Sequence, residues 1–234
     1  MKRPLAIIIR VALTVSITFF LAYFLVRTYQ DRRPIDYQEH LDEKVFTVDG
    51  EDLSLRDIAF YVIYEEYNVE KDAMVYNPKN TRDYWNVHTN GHFLSVLAKE
   101  AVQGMAIHDH IFYREAVKNN MVLTEEEKKR LDNSRTDFWE DLFESQKENL
   151  IAPEEDINRT MYEIALSEKY QEALAAKEGK TYHSLDWNGT DFEEIKNSHD
   201  IKVNNRMWNR INLGNITLVH GPADFTPYIN REDE

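Results

Sequence analysis

The sequence predicts a mainly α-helical protein, and three observations support this fold class. Glycine and proline interrupt helices, and both are scarce: seven and six of 234 residues, about 3% each, against usual frequencies of about 7% and 5%. Apolar residues recur at helical spacing through most of the chain. The hydrophobic fraction of 42% is typical of a globular protein. We expect an N-terminal transmembrane helix followed by a helical domain with one small β pairing between its N- and C-terminal segments.

An apolar run of 22 residues, Leu5–Val26, lies near the start of the chain, and Arg10 is its only charged residue. About 20 apolar residues are enough for a helix to span a bilayer. A cleaved signal peptide would have a shorter apolar region and a small-residue cleavage site, and no such site follows the run. A buried core helix is the other alternative, but an N-terminal run this apolar is rarely one. We therefore predict an uncleaved, single-pass membrane anchor.

Charge is distributed unevenly between this run and the rest of the chain. Residues 1–33 contain six basic residues and one acidic residue, which leaves 22 basic and 41 acidic residues for the remainder. Basic residues flank the run on both sides, so the positive-inside rule gives little preference for either orientation. We expect the body outside the cytoplasm, partly because the chain has no cysteine. The net charge of −14 argues against a nucleic-acid-binding face.

These patterns divide the chain into four segments. Residues 1–33 are the predicted membrane anchor, and residues 34–44, which are charged and lack an apolar period, are a predicted juxtamembrane spacer. Residues 45–220 contain the periodic apolar stretches and form the predicted helical domain. Residues 221–234 contain two prolines and several acidic residues, which predicts a disordered acidic tail.

The helical domain is expected to begin with a strand and a helix. Val45–Val48 has strand character and is followed by an Asp-Gly turn pair. Ser54 and Asp57 have the spacing of a capping box, in which each residue bonds the backbone of the other, and this predicts a helix over about 55–68. Residues 74–91 contain several turn-forming pairs and are expected to form a connector.

Three further features set the limits of the later helices. An apolar stripe predicts a long helix over about 92–118. Thr124 and Glu127 form a second capping box, so another helix should begin at residue 125. Pro153 suits the start of the next helix, and Gly179 is a natural end for it.

The C-terminal part differs in character from the helical region. Phe192–Asn197 predicts one short helix, and Ile216–Val219 is a short β-prone piece. Ile201–Trp208 has strand character. Because a lone short strand cannot satisfy its own backbone groups, we expect this segment to pair with residues 45–48 and close the domain.

Three short stretches of the body follow one another in an order that is typical of a known family. Phe46–Ile58 reads FTVDGEDLSLRDI, Asn120–Glu127 reads NMVLTEEE, and Ile151–Asn158 reads IAPEEDIN. These stretches resemble, in order, the opening motif and two later helix-starting motifs of SurA/PrsA-type chaperones. The similarity covers roughly residues 45–175. Such chaperones usually carry a parvulin prolyl-isomerase module as well, but only about 55 residues follow Gly179, too few for that module.

The resemblance implies a membrane-anchored, extracytoplasmic, chaperone-like protein. Such a protein would bind unfolded or secreted polypeptides through apolar and aromatic surfaces, without ATP, metal or another cofactor, and would not be an enzyme. An alternative is a structural or assembly partner in an envelope complex, with one fixed protein ligand. An enzyme without a recognisable motif is a third possibility.

Six aromatic residues are candidates for the peptide-binding surface. Four of them cover a second flank of the first helix, beside its aliphatic stripe, and two lie four residues apart later in the chain; the six are Phe60, Tyr61, Tyr64, Tyr67, Trp139 and Phe143. A helix that is apolar on more than one face is either deeply buried or borders a groove. The sequence leaves core packing and an exposed groove both open.

Histidine pairs and carboxylate pairs give weaker signals for metal binding or catalysis. His88 and His92 are four residues apart, but an Asn-Gly pair between them should break any helix. His108 and His110 are two apart, so on a helix they face different ways. Most carboxylate pairs sit at helix starts, where they favour the helix dipole. We therefore expect neither a metal site nor a catalytic carboxylate pair.

Overall fold

The computed structural model describes residues 13–26, 35–89 and 91–221, and it is mainly helical with two small antiparallel sheets. The helices are residues 13–26 (α1), Leu55–Tyr76 (α2), Arg82–Trp85 (α3), Leu94–Lys118 (α4), Glu125–Asp141 (α5), Glu144–Glu148 (α6), Glu154–Glu178 (α7), Thr190–Lys196 (α8) and Asn205–Trp208 (α9). The strands are Lys44–Val48 (β1), Glu51–Ser54 (β2), His88–Thr89 (β3), His92–Phe93 (β4) and Ile201–Val203 (β5). Single 3₁₀ turns lie at Gln38–His40 and Tyr182–Leu185.

Helix α1 is the described part of the apolar run, and every residue in it is exposed. Large apolar side chains are included, such as Phe20 at 71% and Leu25 at 67% exposure. Among the described residues, no helix combines the length and the apolar character that a membrane crossing requires. Residues 1–12 and 27–33 of the predicted anchor lie outside the described part of the chain, as do residue 34 of the predicted spacer and residues 222–234 of the predicted acidic tail.

The main sheet has the strand order β2-β1-β5 and joins the two ends of the body. Strands β1 and β2 form a hairpin through Asp49 and Gly50, whose φ angles of 50° and 87° fit the Asp-Gly turn. Strand β5 pairs antiparallel with β1, and Val203 lies opposite Phe46. The predicted closure of the domain by its C-terminal part is therefore present. The second strand of the hairpin was not predicted, because Glu51–Ser54 is polar at three of its four positions.

The closing strand is shorter than the sequence predicts. It ends at Val203, and Asn204 then bonds in two directions: its side-chain oxygen accepts from the Met207 N–H at 3.3 Å, and its amide nitrogen donates to the Lys44 carbonyl at 2.8 Å. These bonds start the short helix α9 in place of further strand. Trp208 then lies edge-on to Phe46, with ring centroids 4.9 Å apart, and the Lys99 ammonium lies over its ring at 4.8 Å.

The predicted helix starts and ends agree with the structure at several positions. The Asp57 carboxylate accepts from the Ser54 N–H at 2.8 Å, and the Glu127 carboxylate accepts from the Thr124 N–H at 2.6 Å. Gly179, with φ of 66°, ends α7 in the left-handed conformation. Helix α2 is longer than predicted: it continues to Tyr76, and its last turns bury Glu70, Ala73 and Met74.

Helices α2, α4 and α7 pack against one another and form the centre of the core. Phe192 of α8 packs edge-on against Phe112 of α4, with ring centroids 5.5 Å apart. The fully buried side chains include Phe46, Ile58, Phe112, Ile157 and Phe192. Each such side chain contributes roughly 1.5–3 kcal/mol through removal of apolar surface from water. Helix α5 packs mainly along α7.

The segment before β1 is packed against the body. Tyr37 is 4% exposed, and its hydroxyl donates to the Leu55 carbonyl at 2.7 Å. Arg56 pairs with Asp42 at 2.8 Å and with Asp156 at 2.5 Å. Within residues 35–44, the predicted juxtamembrane spacer is thus held to the start of α2, and Arg56 in turn joins α2 to α7.

The predicted β-prone piece at 216–219 is instead part of a C-terminal strap, which we define as residues 211–221. The strap has no strand. Its backbone N–H groups at Gly214, Ile216 and Thr217 donate to the Glu66 carboxylate at 2.6, 3.1 and 2.8 Å. A side chain of α2 therefore replaces the neighbouring strand that these backbone groups would otherwise need.

Candidate functional site

A half-open groove of about 920 Å³ lies between α2, α4, α5, α7 and the loop after the 3₁₀ turn Tyr182–Leu185. The groove lies where α5 packs along α7 and approaches α2 through the rings of Phe138 and Phe60, whose centroids are 5.1 Å apart. We call this cavity the aromatic groove. Its volume is at the upper end of the roughly 300–1,000 Å³ that ligand pockets usually have.

The spacing of α2 places aromatic rings along one wall of the groove. Phe60, Tyr64 and Tyr67 recur at intervals of four and three residues, which brings them to one face of a helix. The rings of Phe60 and Tyr64 are stacked, with centroids 5.7 Å apart and planes 12° apart. Phe60 is 9% exposed and Tyr64 is 40% exposed. The wall therefore contains both a core ring and a ring open to solvent.

Tyr61 is turned from this row toward the inside of the protein. It is 5% exposed, and its hydroxyl donates to the Asp109 carboxylate at 3.0 Å. The Ser167 hydroxyl donates to the other oxygen of Asp109, also at 3.0 Å, and the His108 Nδ1 lies 2.7 Å from that same oxygen. Burial, with the nearby Asp109 charge, raises the pKa of Tyr61 well above its ordinary value. The Asp109 carboxylate thus links Tyr61 of α2 to Ser167 of α7 at the floor of the groove.

The two later aromatic candidates lie outside the groove lining. Helix α5 ends at Asp141 and Leu142 is extended, so Trp139 and Phe143 do not share a helix face as their spacing predicted. The Trp139 indole N–H donates to the Asn158 side-chain oxygen at 3.1 Å, between α5 and α7. Phe143 packs against Tyr67, with ring centroids 5.3 Å apart, and so helps to fix the position of the Tyr67 ring.

Phe138, which was not among the predicted binding residues, lines the groove from α5. Its ring contacts both Phe60 and Trp139. The signal was present, because Leu131 and Phe138 are seven residues apart and both line the groove. Apolar spacing of seven residues marks one helix face but does not say whether that face meets a partner or a cavity.

The rim of the groove is acidic. Its lining contains seven carboxylates, at Asp109, Glu127, Asp137, Asp141, Glu168, Glu172 and Asp186, against two cationic groups, at Arg130 and Lys169. Lys169 is already paired with Glu127, at 2.7 Å. Partial burial, together with the like charges of Asp109 and Glu172, raises the pKa of Glu168. The groove therefore combines an aromatic wall with a rim of unbalanced negative charge.

The histidines considered for metal binding do not come together. His108 packs between Phe112 and Phe192, and its Nε2 lies 2.9 Å from the Leu185 carbonyl oxygen. His110 faces a separate cavity of about 200 Å³ beside Glu51. His88 and His92 lie on the two strands of the β3-β4 ribbon. In the parts of the chain that the structure covers, no group of three or more histidine, aspartate or glutamate side chains has the arrangement of a metal site.

Comparison with known proteins gave no family assignment. No protein-family model, no curated protein and no solved structure matched this chain. The resemblance to SurA/PrsA-type chaperones therefore stays a hypothesis based on the three quoted stretches.

Proposed function

We propose that this protein is a membrane-anchored, extracytoplasmic, chaperone-like protein that binds segments of unfolded or secreted polypeptides without ATP. The observation that carries the proposal is the aromatic groove, which is half-open and has Tyr64 exposed on its wall. Aromatic side chains are enriched where proteins bind one another, since they offer a large contact area at low entropic cost.

The composition of the lining favours tolerance for different sequences. Met105 and Met161 line the groove opposite the aromatic wall. Methionine side chains are flexible and polarisable, so they adapt to ligands of different shape. Such a surface can bind apolar segments of many different shapes. This favours a chaperone-like role over binding to a single fixed partner.

The N-terminal part of the proposal depends on the apolar run. In the described part of that run, the side chains of α1 are exposed to solvent and are predominantly apolar. Exposed apolar surface of this extent usually marks contact with a membrane or another protein. Together with residues 5–12, the apolar run has 22 residues, which is enough for a bilayer span.

The test is a substitution on the groove wall with a matched control on the same helix. Tyr64→Ser removes an exposed ring of the groove, and Tyr76→Ser removes a ring that is 60% exposed outside it. The measurement is suppression of aggregation of three chemically denatured enzymes of unrelated sequence. We expect Tyr64→Ser to weaken suppression at least about fivefold for all three, because an aromatic contact of this kind is worth more than about 1 kcal/mol.

Two results would count against the proposal. Equal activity of Tyr64→Ser and Tyr76→Ser would remove the groove from the function. Failure of the unsubstituted protein to suppress any aggregation, with one tight partner recovered from an envelope extract, would favour the assembly role.

A further inference from the structure

We propose that the aromatic groove selects cationic segments, in which lysine or arginine residues are interspersed with apolar ones. This inference rests on the proposed function and names the chemistry of the polypeptides bound. It depends on which carboxylates of the rim are already occupied by the protein itself and which remain available for a partner.

Four of the seven lining carboxylates already interact within the protein, and Asp141 is one of them. Asp109 accepts from Tyr61 and Ser167. Asp186 accepts from the Gln171 amide at 2.8 Å. Glu127 is held by Lys169 and by the Thr124 backbone. These groups maintain the floor and the ends of the groove, and their charges are partly or fully compensated.

Asp137, Glu168 and Glu172 make no hydrogen bond or ion pair with any part of the chain that the structure describes. Of the two cationic side chains in the lining, Arg130 likewise makes no hydrogen bond or ion pair with the described residues, whereas Lys169 is paired with Glu127. The available charge is thus three negative against one positive. A carboxylate that is partly desolvated and faces like charges is stabilised when a cation enters, so the rim favours lysine and arginine.

The geometry also limits the spacing of those cations. Glu168 and Glu172 are one turn apart on α7, which places their β-carbons about 5–6 Å apart. In an extended segment, side chains two residues apart lie about 6.6–6.8 Å from each other on the same face. An extended partner with cations at alternate positions therefore matches both carboxylates, and its remaining side chains point toward or away from the aromatic wall.

The experiment uses the full chain in nanodiscs of uncharged phosphatidylcholine, with empty nanodiscs as the blank. The probes are three fluorescein-labelled 12-residue peptides that share their leucine and phenylalanine positions and carry lysine, glutamine or glutamate at the alternate positions. Fluorescence anisotropy gives the affinity of each. We expect the lysine peptide to bind at least about tenfold more tightly than the glutamate peptide at 50 mM salt. This equals about 1.4 kcal/mol, and the difference should shrink at 500 mM salt because salt screens exposed charges.

Two charge-matched triple variants localise the effect. Asp137→Asn with Glu168→Gln and Glu172→Gln should abolish the preference for lysine and leave the glutamine peptide within about twofold. Glu100→Gln with Glu155→Gln and Glu194→Gln removes the same number of exposed carboxylates outside the groove and should retain the preference. Comparable affinity for lysine and glutamate peptides, or a preference that survives the first triple variant, would overturn the inference.

The result also separates this inference from the proposed function. If the glutamine peptide binds and Tyr64→Ser weakens it while charge has no effect, polypeptide binding stands and the cationic preference is wrong. If none of the three peptides binds, both are wrong.

Discussion

Glutamate side chains usually lie in solvent, but that of Glu66 does not. It is fully buried in α2, where a carboxylate would ordinarily destabilise the fold. Burial raises its pKa, and hydrogen bonds from the Thr217 side chain and from three backbone N–H groups of the C-terminal strap act in the opposite direction. The carboxylate thereby satisfies backbone groups that have no strand beside them. Burial of this acid is unfavourable, but the same carboxylate attaches the C-terminal strap to α2.

We expect Glu66→Gln to destabilise the protein by at least about 2 kcal/mol. The amide has one acceptor oxygen, so its NH₂ group must face backbone donors and leave them unsatisfied. The measurement is denaturant unfolding of the full chain in detergent at pH 8. Glu65→Gln is the matched control, because burial raises the pKa of Glu65 to about 7 and its ionised form is disfavoured in the fold. That variant should be as stable as the unsubstituted protein or slightly more stable. Equal losses in both variants would contradict the role of Glu66.

At the scale of elements, the C-terminal strap is held at its end by a second pair. The His220 side chain is 3% exposed, and its Nδ1 lies 3.6 Å from the Glu70 carboxylate, while its Nε2 donates to the Gly214 carbonyl. Burial alone would lower the pKa of His220, but Glu70 and that carbonyl outweigh it and raise the pKa. Burial would likewise raise the pKa of Glu70, but hydrogen bonds from His220, Thr81 and Trp85 lower it.

These shifts predict a pH window for the stability of the C-terminal strap. A raised histidine pKa contributes stability that is complete below about 6.5 and is lost as pH rises through the folded value. A lowered glutamate pKa contributes stability that is complete above its ordinary value of 4.5 and is lost as pH falls through the folded value.

We expect the difference in melting temperature between the unsubstituted protein and His220→Gln to be largest near pH 6 and smaller at pH 9. His183→Gln, at a side chain that is 89% exposed, is the control and should show no such trend. A constant difference for His220→Gln from pH 6 to pH 9 would rule out the charged pair.

At the scale of the whole molecule, the two ends of the body meet in one sheet. Strand β5 pairs with β1, and the segment before β1 is held to the start of α2 through Tyr37 and Asp42. The aromatic groove is formed by the helices and the loop after the second 3₁₀ turn, and none of residues 35–54 lines it.

This arrangement leads to a prediction about topology. We expect the full chain to sediment with membranes and to be released by detergent but not by high salt, since a 22-residue apolar run buries far more apolar surface than a peripheral contact. Protease added outside intact cells should digest the body. The measurement is immunoblotting with an antibody against the C-terminal residues, and a cytoplasmic protein serves as the control for intact cells. Protection of the body from external protease would reverse the proposed orientation.

Local chemistry was sufficient to predict several limits of the long helices, but not the end of α2 or the short elements α3 and β3 within the predicted connector. The capping boxes at Ser54 and Thr124, the stop at Gly179 and the pairing of Ile201–Val203 with β1 depend on residue types that act within a few positions or on strands that need a partner. The sequence alone thus determined a mainly helical body closed by a short sheet. It also supplied four of the six aromatic candidates that line the groove.

Tertiary structure alone decided the groove itself and the course of the C-terminal strap. Helix periodicity shows which residues share a face, but α5 ends at Asp141, so Trp139 and Phe143 do not share one, and it is Phe138 that meets Phe60. Glu66 looked like any helix-surface acid, because its partners lie about 150 residues away in the chain. Contacts between distant residues leave no periodic pattern in the sequence, and they determine whether an apolar face is covered or left open and whether a carboxylate is solvated or buried.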